Sequence, residues 1–476
     1  MAYTIEQKPN QLAGANSPMV FVLKESDGAI TGAAKFRYIA QVYISITDAS
    51  TWSEKAKLKI HKNKSSVGIL DIHKIVRTFL ETQEINVGNQ ETIAGSIHSI
   101  GITDTSNSYS QNTSQVVGVK IVGGYEKATS ATTAPSETLN QANTIIYSIP
   151  ATTPFTDTGT NIGGLDIDGT NNPMTNYIPS SATKNFLTNS PKVQFVRGST
   201  TAVDNVDELT VAFINDGLIT DGDVLGRMYI EYYDSAGSII SGTSGTGSSH
   251  YFINDTGAGG KATADDVKNS LIYFGCGTAN LETQVDEVNA KPSNFADWAY
   301  YRIFGKSADG STQETDYYYF YRYGSGATVD DRHQTCIRYD NVRLAWRNRL
   351  GCWDYMNFRG KSTESVNITS QEMESVPGTW DNATFTYDNT DRGKQTLYTE
   401  ASRKLTINSD WLNEDEGAWL EELFTSTNVQ ILADNNVVYP VVIIDKLYTK
   451  KTSVNNKLKI QYTVNLEYAN KVRTNS

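Results

Sequence analysis

Apolar side chains recur at every second position through much of this chain, a spacing that suits β-strands with one buried face. The run is cleanest near the C-terminus, where Leu458, Ile460, Tyr462, Val464, Leu466 and Tyr468 alternate with polar residues. Phe36, Tyr38, Ala40, Val42, Ile44 and Ile46 repeat the pattern. Shorter runs at 57–60, 116–122, 144–149, 209–213, 228–232, 342–346, 404–407, 429–432 and 437–444 read as further strands. Between them lie stretches rich in Ser, Thr, Asn and Gly. A chain with 38% hydrophobic and 20% charged residues, 36 Gly and 27 Tyr suits sheets joined by polar loops; collagen, coiled coil and full disorder are excluded. The fold class expected is therefore mainly β, with several antiparallel β-sandwich-like domains.

Two places break the alternation with helical spacing. Ile72, Ile75, Val76, Phe79 and Leu80 fall on one helical face, with Asp71 placed to cap it. Asn413 followed by Glu416 forms a capping-box pattern ahead of Trp419, Leu420, Leu423 and Phe424. A length of 476 residues suggests about three domains. The composition shifts place them at 1–150 (a sandwich with one helix), 191–330 (a β-rich middle domain) and 331–476 (a β domain with one helix). Residues 151–190, crowded with Thr, Asn and Gly, read as a linker or arm.

A net charge of −12 argues against nucleic acid as a partner. No run approaches the roughly 20 apolar residues of a membrane-spanning helix, and the opening residues show neither a basic nor an apolar signal region. Neither a membrane partner nor secretion is expected. Cys276, Cys336 and Cys352 lack metal-ligand spacing and read as reduced and mostly buried. The Cys336–Cys352 spacing permits a hairpin disulfide, against which cytoplasmic synthesis argues.

Residues suited to chemistry are sparse. The five histidines, His61, His73, His98, His250 and His333, form no metal-binding or acid–base pair in sequence and read as surface or loop residues. The glycine-rich run 257–263 departs from a P-loop at Asp255 and Ala262. Asp166 and Asp168 begin a calcium-loop-like run whose last ligand position is Tyr177. Loop carboxylates such as Asp221/Asp223 and Asp330/Asp331 carry no readable separation. No catalytic residue, cofactor or metal site is expected.

The feature that stands out is aromatic. Residues 298–304 and 317–323 read as two arms of a hairpin around Asp309-Gly310, with aromatic side chains on both faces. Three readings stay open: rings stacking on sugars, a subunit interface, or an ordinary core. The candidate contact residues are Trp298, Tyr301, Tyr317, Tyr319 and Tyr321, joined by Arg343 and Arg347 from the one arginine-rich stretch.

Two segments resemble structural proteins of tailed-bacteriophage virions, those of environmental and Bacteroidetes-infecting phages. One is the opening run from Pro9 to Phe21 with the strand and helix that follow. The other is Asn348-Arg349-Leu350-Gly351-Cys352-Trp353-Asp354-Tyr355, with the run from Trp411 to Phe424 downstream. Similar chains carry Gly where this one has Cys352. The matching segments cover about a third of the chain and hold no catalytic residues. The resemblance implies a non-enzymatic component of the virion, of the tail or baseplate, made in the host cytoplasm. Its partners would be other virion proteins and copies of itself. The alternatives are an adhesin binding a host-surface glycan, a capsid decoration or head–tail connector, and a glycan-cleaving tailspike. The tailspike is disfavoured because no parallel β-helix period is present.

Overall fold

The computed structural model describes residues 3–9, 12–46, 51–80, 96–102, 108–112, 115–152, 186–198, 206–214, 225–240, 250–254, 271–283, 287–288, 298–307, 309–324, 339–391, 393–434, 437–445, 447–448 and 460–475. Strands account for 55% and helices for 9%, so the protein is mainly β with several antiparallel sheets, as the alternation predicts. The chain divides into two compact units: residues 1–335 with 347–354, and 336–346 with 355–476. The calcium-like run, the glycine-rich run, Asp221/Asp223, Asp330/Asp331, His333, Cys336 and most of the 151–190 linker lie outside the described residues.

The first unit contains two layered arrangements. A five-stranded sheet runs in the order Leu12–Gly14, Ser136–Ile149, Val117–Ala128, Ala34–Ser45, Ser53–Ile60. A three-stranded sheet of Tyr3–Gln7, Val20–Glu25 and Val67–Asp71 shares one core with it, where Phe21 and Leu23 pack with Tyr38, Ala40 and Val42. Tyr38 ties the layers together: its hydroxyl donates to the Ser66 carbonyl (2.5 Å) and accepts the Glu25 N–H (3.1 Å). Its ring lies so close to Gly68 that a Cβ there would come within 2.6 Å.

The helix expected after Asp71 is shorter than its apolar pattern. It spans only His73–Arg77, and its N-cap position is Ile72 instead of Asp71. Asp71 Oδ1 accepts the N–H groups of His73 and Met19, so the carboxylate holds the helix start against the neighbouring strand from one residue further out.

The second arrangement has six strands, in the order Val193–Val196, Tyr318–Arg322, Tyr300–Ser307, Leu225–Tyr233, His250–Ile253, Glu287–Val288. A three-stranded sheet of Thr210–Ile214, Leu271–Gly275 and Tyr109–Asn112 lies against it, with the Tyr109 hydroxyl donating to the Phe252 carbonyl (2.9 Å).

The second unit is built on an eight-stranded sheet. Its path is Trp353–Phe358, Val342–Arg347, Val429–Ala433, Val437–Ile443, Thr463–Tyr468, Lys394–Asn408, Thr363–Glu374, with Val472–Asn475 also pairing Lys394–Asn408. The helix Glu414–Thr425 covers part of one face, burying Trp419, Leu420 and Leu423 with Leu344, Trp346, Ile407, Ile431 and Val464. The capping box read in the sequence is present, with Asn413 Oδ1 accepting from Glu416 N–H (2.8 Å) and Glu416 Oε2 accepting from Asn413 N–H (2.9 Å). Two one-turn helices, Gly28–Thr31 and Thr278–Thr283, carry no periodic signal. Among the described residues no helix is long and apolar enough to cross a membrane, which does not bear on strands.

Candidate interaction surface

The aromatic hairpin forms, with Tyr300 opposite Tyr321 and Ile303 opposite Tyr318. The strand alternation sorts its residues by face. Tyr301, Ile303, Tyr318 and Phe320 point into the core, and the Tyr301 hydroxyl donates to the Cys276 carbonyl (2.8 Å). Trp298, 1% exposed, belongs to the same interior. These two candidate contact residues therefore hold the unit together from inside.

Tyr317 and Tyr319 lie half-buried on the other face, where Tyr321 is buried against Ala299, Phe195 and Tyr300. Their neighbours form a ladder: Tyr233 on Tyr300 at 4.7 Å and 3° between planes, and Tyr300 on Tyr321 at 4.6 Å and 23°. The Arg302 guanidinium sits 4.1 Å from the centre of the Tyr317 ring and 2.5 Å from Glu231. A sugar stacks on a free ring face. Here the rings spend their faces on one another and on cations, which favours a stiff sheet over a stacking platform. The acid turn at its tip is equally self-contained: Asp309 accepts from the hydroxyls of Ser307 and Ser311 and from the Ser311 N–H, which holds its carboxyl down to about 2.

Arg343 and Arg347 are also buried, against the expectation that they meet a partner. The Arg343 guanidinium lies 5.5 Å from the Tyr355 ring. Arg347 lies over Trp353 (5.3 Å) and donates to the Gly351 carbonyl (2.9 Å), closing the turn of the asparagine motif. Asn348 organises that turn. Its side-chain oxygen accepts from the N–H groups of Leu350 and Cys352, and its amide nitrogen donates to Leu187 O and Asp354 Oδ1. Gly351 is left-handed (φ +81°), and a Cβ there would press within 2.7 Å of Pro150. The motif is thus a loop-building device. Cys352, buried like Cys276, has its thiol pushed up to about 12 by burial, which outweighs the Tyr273 hydrogen bond.

The histidines correct a further expectation. His98 and His250 are buried, His98 edge-on to Trp353 at 4.7 Å, while His73 bonds Asp71 at 2.8 Å. Among the described residues no three His, Cys, Asp or Glu side chains gather as metal ligands would.

The surface that stands open lies elsewhere, on a hairpin the alternation did not reveal. Thr363–Glu374 pairs with Lys394–Asn408 over its whole length, and all twelve of its residues are exposed. Neither side of it packs on a core. Its outward groups include Val366 (53% exposed) and Ile368 (65%), with Leu397 on the partner strand. At the far end Thr379–Trp380 pairs with Phe385–Thr386. Asp381 accepts the N–H groups of Ala383 and Thr384, and Asn382 takes a left-handed φ of +77°. This tight turn holds Trp380 (64% exposed), Phe385 and Tyr387 in fixed positions on the surface. The sequence carried a faint trace of it: β-branched Thr, Val and Ile crowd 363–369, and Pro377-Gly378 and Asp381-Asn382 mark turns.

No protein-family model matches the chain, and no curated protein matches it at a significant level.

Proposed function

We propose that this chain is a non-enzymatic structural component of a tailed-bacteriophage virion, in the tail or baseplate, that assembles through protein–protein contacts centred on the 363–400 arm. The observation that carries this reading is the arm itself. A locally rigid hairpin exposing Val366, Ile368, Val376, Trp380, Phe385, Tyr387 and Leu397 displays an apolar surface larger than scattered single residues. Such a surface marks a contact site, and large aromatics are the residues on which interface energy concentrates. The resemblance of the 348–355 and 411–424 segments to virion proteins supplies the setting. The self-stacked tyrosine ladder weighs against the glycan-binding alternative.

The test is immunolabelling of virions produced from a genome that encodes the chain, using antibodies against the purified protein. Labelling confined to the tail or its tip is expected. Unlabelled particles, with the protein found only in the lysate, overturn the virion assignment; labelling of the head moves it to a decoration or connector role.

A further inference from the structure

We propose that the arm's partner is a second copy of this chain, and that the arm's outer strand adds to the free edge of Ser53–Ile60 in that copy. The inference rests on the assembly reading above and supplies its contact.

Both strands end their sheets. Thr363–Glu374 is the last strand of the eight-stranded path and Ser53–Ile60 the last of the five-stranded one, so among the described residues no strand pairs with the outer side of either. An open edge presents unpaired backbone N–H and C=O groups ready to bond another strand. The two edges differ in charge. The arm from 363 to 400 carries seven carboxylates (Glu364, Glu372, Glu374, Asp381, Asp388, Asp391, Glu400) against Arg392 and Lys394. The strand 53–60 and the turn after it carry Lys55, Lys57, Lys59, Lys62 and Lys64 against Glu54. In a chain of net charge −12, this is a concentrated basic edge.

Lysine on an edge strand ordinarily prevents pairing, because two identical edges repel. It does so here for two Ser53–Ile60 strands, and the carboxylates of Thr363–Glu374 do the same for two arms. Acidic edge against basic edge is the one pairing of these two that charge favours. Some of the charges already have partners within the chain: Lys59 reaches Glu126 at 2.5 Å, Lys57 bonds Glu137, and Glu372 meets Lys394 at 2.5 Å. The Glu372–Lys394 pair is exposed and the Lys57–Glu137 pair partly so, and such pairs are weak enough to rearrange at a contact, whereas Glu126 is buried and keeps Lys59 tied within its own sheet. Because the two surfaces differ, each contact joins an arm to an edge, which closes reciprocally in a dimer or repeats head-to-tail in a ring or filament.

The experiment is mass by light scattering on the full-length chain across a concentration series, with three samples. Wild type is expected to form multimers that dissociate as salt is raised from about 0.05 to about 0.5 M. Glu364→Lys with Glu374→Lys, and separately Lys55→Glu with Lys57→Glu, are each expected to weaken self-association about 100-fold. Mixing the two variants restores opposite charge in both arm-to-edge combinations between unlike copies and yields mixed multimers, which misfolded variants cannot produce. Wild type monomeric at every concentration overturns the inference. So does a multimer that either reversal leaves intact, or a mixture that remains monomeric. Monomeric protein that still labels virions refutes the self-contact alone and leaves the virion assignment standing.

Discussion

The tyrosine ladder of the six-stranded sheet and the apolar arm of the eight-stranded sheet are both rich in large side chains, yet they spend them differently. In the ladder, Tyr233, Tyr300 and Tyr321 stack in succession and Arg302 is held by Tyr317 and Glu231, so most attractive surface is used within the sheet. In the arm, Trp380 and Phe385 sit across a two-stranded turn with both sides open. Large aromatic side chains thus produce a stiff wall in one place and an available surface in the other. What decides is strand depth: the ladder strands have paired neighbours on both sides, whereas Thr363–Glu374 is an edge with no layer packed on it.

Substitutions should separate the two behaviours. The largest effect is expected where the second unit buries its aromatics: Trp419→Ala, which removes a ring 4.9 Å from Trp346, should destabilise by about 3–5 kcal/mol. Unchanged urea unfolding would mean that the helix is not packed as described. Tyr300→Ala, at the centre of the ladder, is expected to cost about 2 kcal/mol by the same measurement, because two stacked pairs are lost together. A cost near zero would show the ladder to be dispensable and reopen its rings to a ligand. Asn413→Ala should cost about 1 kcal/mol through loss of the capping box.

A smaller effect is expected in acid. Burial raises the Asp71 carboxyl, but hydrogen bonds from the His73 side chain and from the His73 and Met19 N–H groups outweigh it and hold it below the usual range. A carboxyl lowered in the fold adds stability that is present above its unfolded value of about 3.9 and lost as the pH falls through the folded value. Melting temperature should therefore drop below about pH 4 less steeply in Asp71→Asn than in wild type. Parallel acid limbs would place the cause in other carboxyls. Smallest of all, Trp380→Ser should shift stability by no more than about 0.5 kcal/mol, since most of that side chain is already exposed, while measurably weakening assembly. A stability loss as large as that of Tyr300→Ala would erase the distinction between ladder and arm.

Legibility in the sequence followed the same division. Strands with one buried face announced themselves: Tyr462, Val464 and Leu466 alternate because one side meets the helix and the other does not. The helix at 414 was readable because its cap is local chemistry between Asn413 and Glu416. The short helix after Asp71 stopped earlier than its apolar pattern, since Phe79 and Leu80 join the core as a turn. The arm was invisible to alternation for a physical reason: a strand exposed on both sides has no buried face to impose a period. Trp298, Arg343 and Arg347 were singled out by residue type, and residue type does not say which way a strand turns its side chains.

The asparagine-motif loop carries a consequence for synthesis. Residues 347–354 are numbered among the second unit's strands but belong to the first unit, where Asn348 reaches the Leu187 carbonyl and Asp354 accepts from Thr188 Oγ1 (2.6 Å). A ribosome delivering this chain from its N-terminus has therefore committed the opening strand of the second unit's sheet before the first unit receives its last piece. Maturation of the two is interleaved in time, and cutting the gene at residue 335 yields an unfinished first unit, not a shorter protein.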